Sequence, residues 1–111
     1  MKRLAKSRLA RSLAMIVLAI GMLLAMAVPA GASLNGDYGA DGVRIRTGPS
    51  TSRTVVGLGY PGQGATLFCI TTGTNINGDP FWLRNRNKAT SVTGYSADYY
   101  MRWSHGSLAT C

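Results

Sequence analysis

The sequence contains no glutamate, only four aspartates and a single histidine among its 111 residues. The aspartates, Asp37, Asp41, Asp79 and Asp98, all fall in predicted turns or loops, where aspartate favours bonds to the nearby backbone. Paired-carboxylate hydrolysis requires two opposed acids across a cleft, and His105 alone cannot form a metal site. The inventory therefore predicts no catalytic residue, no metal and no cofactor, so we expect a protein that is not an enzyme.

Positive charge is scarce once the N-terminal segment is set aside. The chain has twelve basic residues and a net charge of +8, but five of the twelve lie in residues 1–32, which hold no acidic residue. The other 79 residues carry seven basic and four acidic side chains, a net charge of +3. A charge of this size is ordinary for a small soluble domain and does not predict nucleic-acid binding.

The N-terminal segment has the pattern of a helical secretory signal peptide over residues 1–32. Five basic residues are followed by an uncharged apolar run over residues 13–28, then Pro29 and the small residues 30–32. This order predicts cleavage after Ala32, with cleavage after Ala30 as the alternative. A retained membrane anchor is the other interpretation, but the run of sixteen residues is shorter than the roughly 17–25 that span a bilayer.

Cysteine is rare, and both copies, Cys69 and Cys111, follow the predicted leader. An even number of cysteines in an exported small domain predicts a disulfide. The bridge would join the last residue of the chain to a central strand. A reactive thiol is the alternative, with His105 as the only available histidine base.

Long helical periodicity is absent, and short β-rich runs alternate with glycine and proline. Residues 33–41 predict a flexible lead-in, and 102–111 a disulfide-tethered tail. Between them we expect one helical turn at 98–101 and five short strands, at 43–46, 54–58, 65–72, from 81 onward and at 92–96. Arg84, Arg86 and Lys88, which follow the fourth strand, indicate a solvated hairpin. The pattern predicts a small, all-β, five-stranded barrel, since closure removes exposed edges.

The segment Val43-Arg44-Ile45-Arg46-Thr47-Gly48-Pro49-Ser50 resembles the opening signature of bacterial SH3-like domains, an alternating strand followed by Gly-Pro-Ser. Later pieces occur in the order of that family: Val55–Gly57, Gly62–Leu67, the strand led by Trp82, and Gly94 to Met101. The resemblance covers residues 42–101 and implies an SH3-like barrel. Ser96 stands where an apolar residue is usual, and the cysteine pair lies outside the general pattern.

The resemblance also implies a function. Members of this family usually serve as binding modules that target peptidoglycan, so we expect a secreted, cell-wall-associated domain that binds peptidoglycan or a short peptide, with no chemistry of its own. A secreted effector or inhibitor that binds a protein partner is the alternative, and a purely structural envelope protein is a third. We expect no nucleic-acid partner, and membrane contact only through an uncleaved leader.

All nine aromatic residues follow the leader, and a domain of this size cannot bury them all. Surface tyrosine and tryptophan offer rigid amphipathic contacts to a peptide or glycan. The ligand-binding candidates are Tyr38, Trp82, Tyr99, Tyr100 and Trp103. Phe68 and Tyr95 are expected in the core, and Trp82 also suits a structural role. Arg46 is expected to pair with a backbone carbonyl or an aspartate.

Overall fold

The computed structural model describes residues 31–111, which form eight β-strands and one 3-10 turn. The strands are β1 (Leu34–Tyr38), β2 (Val43–Arg46), β3 (Val55–Gly59), β4 (Ala65–Ile76), β5 (Asp79–Asn87), β6 (Thr93–Ala97), β7 (Met101–Trp103) and β8 (Ala109–Thr110), and the turn is Asp98–Tyr100. The all-β class is therefore confirmed. The predicted signal peptide falls almost entirely outside the described residues. None of the helices in residues 31–111 has the length and apolar character needed to cross a membrane.

The strands form one curled sheet in the order β3-β2-β6-β5-β4-β1-β7, with antiparallel neighbours. The short β8 pairs in parallel with β4. Although β3 and β1 are far apart in this order, Gly59 at the end of β3 lies directly against the Tyr38 ring on β1, with no room for a side chain. The sheet therefore bends back on itself into a half-barrel.

The core lies on the concave face of this half-barrel. It consists of Tyr38, Val43, Ile45, Ala65, Leu67, Leu83 and Met101. On β2 the buried Val43 and Ile45 alternate with the exposed Arg44, because successive side chains of a strand point to opposite faces. The predicted alternation of this strand is confirmed.

Three of the eight strands lie outside the five that the sequence predicts, which correspond to β2–β6. Strand β1 occupies the segment expected to be a flexible lead-in, and β7 and β8 occupy the expected turn and tail. Gly36 of β1 packs against Leu67 and the carbonyl of Arg102, where an added Cβ would be 3.0 and 3.2 Å away. Gly36, which the sequence suggested to be part of a loop, therefore permits close packing of neighbouring strands. This contact involves residues far apart in sequence, so the local sequence pattern does not reveal it.

The expectation of a solvated hairpin at residues 84–88 is also corrected, because residues 84–87 belong to β5. Arg84 and Arg86 are exposed, whereas Asn85 and Asn87 are fully buried. Asn87 donates to the side chain of Gln63 (2.8 Å) and its Oδ1 accepts from the backbone of the following turn. Each buried amide has a hydrogen-bond partner for both its nitrogen and its oxygen, which offsets the cost of burying polar side chains inside the sheet.

The predicted disulfide between Cys69 and Cys111 is present, with a separation of 42 residues. Beside it, the backbone N–H of Cys111 donates to the carbonyl of Ile70 (3.0 Å) and Ala109 pairs with Cys69. The bridge and β8 therefore hold the C-terminal tail against β4.

Candidate binding groove

The outer face of β2, β5 and β6 carries an open groove of about 310 Å³. Arg44 and Arg46 of β2 lie on one side of it, and Tyr100 of the 3-10 turn lies on its border. Trp82 and Ala97, which are direct partners across β5 and β6, contribute to its base. The groove is therefore lined by both aromatic and cationic side chains.

Trp82 is almost completely buried, at 2% exposure. Its indole N–H donates to the carbonyl of Thr74 at 2.8 Å. The exposed ligand contact predicted for Trp82 is corrected, because only the part of its ring that borders the groove is accessible. The bond to Thr74 fixes this ring in place as part of the base.

The far end of the long β4–β5 hairpin covers Trp82. The pairing register of the hairpin shifts between Thr72 and Ile76, and Gly73 packs directly against the carbonyl of Pro49. The N–H of Thr74 donates to the same carbonyl (3.3 Å), and the Thr74 hydroxyl accepts from the N–H of Thr51 (3.2 Å). The Gly-Pro-Ser turn thus anchors the hairpin and shapes the groove.

The groove carries more positive than negative charge. Arg44 is exposed, and Arg46 donates from Nη1 to the carbonyl of Arg53 at 2.9 Å, the backbone pairing expected for it. Asp41 also lines the groove but forms no ion pair with either arginine among the described residues. Two cations against one carboxylate favour an anionic ligand group.

Only two of the five predicted ligand-binding aromatics, Trp82 and Tyr100, line this groove. Tyr100 is 40% exposed and packs edge-on against Tyr99, with ring centroids 5.1 Å apart. Tyr99 is exposed but does not line the groove. The prediction for Tyr38 is corrected, because its side chain is fully buried and donates to Asn85 Oδ1 at 2.8 Å.

Trp103, the remaining candidate, is half-buried and away from the groove. Its indole N–H donates to Asp98 Oδ1 (2.7 Å), and its ring lies 4.6 Å from that of His105. Burial, together with the neighbouring Asp79 carboxylate, which accepts from protonated Asp98 and repels its charged form, raises the pKa of Asp98, while Trp103 and His105 act in the opposite direction. These contacts tie the start of the tail to the 3-10 turn.

Sequence reasoning missed Asp41, Arg44, Thr51 and Ile76, which all line the groove. The alternation of β2 could have revealed Arg44, since a residue between two buried positions must face outward. No local pattern in the sequence places Ile76 in the groove, because it reaches the groove only through the bend of the β4–β5 hairpin. Phe68 and Tyr95, expected in the core, are half-buried on the outer face.

No cluster of three potential metal ligands occurs within residues 31–111. Both cysteines are in the disulfide, so neither can act with His105 as a thiol nucleophile. The groove itself presents arginine, tyrosine, tryptophan and aliphatic surface, which suits binding.

No family model, curated protein or solved structure matches this chain.

Proposed function

We propose that this protein is an exported binding module that holds cell-wall peptidoglycan or a short peptide in the groove and catalyses no reaction. The observation that carries the proposal is the exposed Tyr100 ring beside the base formed by Trp82, with Arg44 and Arg46 alongside. Aromatic rings provide flat amphipathic surface for a sugar or a peptide backbone. Arginine pairs with the carboxylates that peptides carry.

The proposal includes an SH3-like relationship. The segments that carry the resemblance fall on β2 to β6, on the β3–β4 turn and on the 3-10 turn. The Gly-Pro-Ser turn of the resemblance contacts the β4–β5 hairpin and so contributes to the groove. Strands β1, β7 and β8 enlarge the sheet beyond the five-stranded expectation.

Export is part of the same proposal. The Cys69–Cys111 disulfide suits an oxidising compartment outside the cytoplasm, and residues 1–32 have the sequence pattern of a signal peptide. Peptidoglycan would then be within reach of the mature domain.

Retention on purified peptidoglycan tests the groove. We expect Tyr100→Ala to weaken retention about tenfold, because an aromatic anchor at the edge of a groove contributes strongly to binding. Arg44→Gln should weaken it less. Phe81→Ala is the matched control, since Phe81 is 46% exposed and does not line the groove.

Lack of retention of the wild-type protein at low salt would rule out the wall ligand. Equal losses in Tyr100→Ala and Phe81→Ala would exclude the groove as the site. A stoichiometric protein that co-purifies with the wild type, and is lost from Tyr100→Ala, would support the effector or inhibitor alternative.

A further inference from the structure

The strand register lines up arginines and aromatic residues across the outer face of the sheet. Tyr95 of β6 is the direct partner of Arg46 on β2 and of Arg84 on β5. Since neighbouring strands lie about 4.8 Å apart, the α-carbons of the two arginines are separated by roughly 10 Å. Arg84 in turn lies over the Phe68 ring of β4, 5.3 Å from its centroid.

Two more arginines extend this row along the strands. Arg44 lies two residues before Arg46, and Arg86 two residues after Arg84, so each pair is separated by about 7 Å along its strand. Their neighbours Ile45 and Asn85 are fully buried, which places the arginines on the opposite, outer face. We name the surface of Arg44, Arg46, Arg84 and Arg86 the arginine face.

Within the described residues, no carboxylate lies within 4.0 Å of a guanidinium nitrogen of the arginine face. Among residues 31–111, the one contact between a basic side chain and a carboxylate within 4.0 Å joins His105 to Asp98. Asp37 accepts from the N–H groups of Gly62 and Gly64 on the β3–β4 turn. Asp41 lines the groove without pairing to an arginine. Four arginines without acidic partners create a local positive potential that attracts a polyanion.

The composition of the face favours phosphate over a nucleic-acid base. A guanidinium group presents a planar fork of donors that matches the oxygens of a phosphate. Single-stranded nucleic acid also requires free aromatic rings on which bases stack. Here Phe68 is half-buried with Arg84 over its ring, and Tyr95 is half-buried between two arginines. Neither of these two rings therefore offers an open stacking platform.

We infer that the arginine face binds a linear, phosphate-bearing polyanion that crosses strands β2, β6 and β5. The proposed polymer passes from Arg44 and Arg46, beside the groove, over Tyr95 to Arg84 and Arg86. Arg44 and Arg46 line the groove, whereas Arg84 and Arg86 do not, so the proposed polyanion site shares two arginines with the groove and extends beyond it onto β5. Binding through several charged contacts must weaken steeply as salt rises.

The test uses the purified protein and linear inorganic polyphosphate, which carries phosphates without bases or sugars. Titration calorimetry at several salt concentrations gives the affinity and its salt slope. We expect Arg84→Gln and Arg86→Gln each to weaken binding about five-fold and to reduce the magnitude of the salt slope by about 1. The double variant should bind more weakly than either.

Arg102→Gln is the matched control. It removes the same charge from an exposed position on β7, which is three strands from β5 in the sheet. Unchanged affinity in this variant supports the arginine face. An equal loss in Arg102→Gln and Arg84→Gln would show that binding depends on net charge alone and would overturn the proposal.

Binding of two further polyanions, single-stranded DNA and polygalacturonate, tests whether the arginine face prefers phosphate. Tighter binding of single-stranded DNA of equal charge would indicate base recognition, and equal binding of polygalacturonate would show no preference for phosphate. Either result overturns the proposal, as does failure of the wild type to bind polyphosphate at low salt. Tyr100→Ala should leave polyphosphate affinity unchanged while it weakens peptidoglycan retention, so failure of this proposal is distinguishable from failure of the proposed groove function although the two sites share Arg44 and Arg46.

Discussion

At the scale of single residues, buried polar groups connect strands that are distant in sequence. The Tyr38 hydroxyl on β1 donates to Asn85 on β5, and Asn85 in turn donates to the carbonyl of Leu83 (3.1 Å). Burial, and to a lesser extent the charge of Asp37, raises the pKa of Tyr38 to about 12. The hydroxyl therefore stays protonated well above neutral pH, and its burial and its bond to Asn85 give Tyr38 a structural role.

Tyr38→Phe tests this bond. The variant leaves the buried Asn85 oxygen without its donor, which should lower the free energy of unfolding by about 1–3 kcal/mol. The folded-state pKa of Tyr38 lies above its usual value of 10.0. The stabilisation that depends on its protonated hydroxyl is therefore fully present below pH 10 and is lost as the pH rises towards 12. Urea unfolding at neutral and alkaline pH measures both effects, and Tyr60→Phe, at an exposed ring, is the control.

Asp37 serves a different structural role, at the junction of β1 with the β3–β4 turn. Its carboxylate accepts from the N–H groups of Tyr38 (2.8 Å), Gly62 (2.8 Å) and Gly64 (3.0 Å). Partial burial acts to raise the pKa of Asp37, but these three bonds, with help from the charge of Arg102, bring it below its usual value. The turn reaches the carboxylate because both glycines have positive φ, 90° and 76°.

The lowered pKa predicts an acid-dependent loss of stability. A carboxylate whose folded-state pKa lies below 3.8 stabilises the fold above that pH, and its contribution is lost as pH falls through the folded-state pKa. Asp37→Asn should therefore be less stable than the wild type at pH 7, and the difference should shrink below about pH 4. A constant difference over pH 2–7 in urea unfolding would contradict this role for the charge.

At the scale of elements, the β4–β5 hairpin determines whether a groove exists. Its distal half bends towards the Gly-Pro-Ser turn and covers Trp82 with the backbone around Thr74. Because Gly73 contacts the carbonyl of Pro49 without space for a side chain, this approach depends on glycine.

Gly73→Ala should displace the hairpin from the Pro49 turn. Loss of the cover over Trp82 should shift tryptophan fluorescence to longer wavelength and weaken peptidoglycan retention, with a stability loss of about 1–3 kcal/mol. Gly78→Ala, at the hairpin tip, is the comparison, since an added Cβ there meets no atom within 4 Å. That variant carries only the strain of its positive φ (91°), so its fluorescence should match the wild type.

At the scale of the whole molecule, the disulfide compensates for small size. The described domain buries a core of few large side chains, and small domains commonly need a covalent staple. The bridge closes a loop with a sequence separation of 42 and holds β8 beside β4.

Replacing both cysteines by alanine should therefore cost up to about 4 kcal/mol, the loop-entropy value for a bridge of this span. Guanidinium unfolding of the double variant measures the loss. Addition of a reductant should lower wild-type stability by a similar amount and leave the double variant unchanged. A double variant as stable as the oxidised wild type would show that the bridge is dispensable.

The site was less predictable than the fold class. Tyr100 could be selected from the sequence because surface aromatics are common ligand contacts, yet the same criterion also selected Trp82 and Tyr38, which are buried. The burial of Tyr38 arises from the close approach of Gly59 on β3, a contact between distant segments. For Arg46, at the end of the alternating strand β2, the sequence predicted the backbone contact that it makes but not its place in the groove. Ile76 enters the groove through the bend of the hairpin.

The sequence by itself determined the all-β class, the alternation of β2 and the cysteine pairing. These properties follow from local periodicity, from the frequency of turn residues and from there being only two cysteines. Only the tertiary structure decided that β1 joins the sheet, that Trp82 lies beneath the hairpin and that Arg46, Tyr95 and Arg84 form one row. Those features depend on the register and curvature of strands far apart in sequence, which are set when the whole core is buried together.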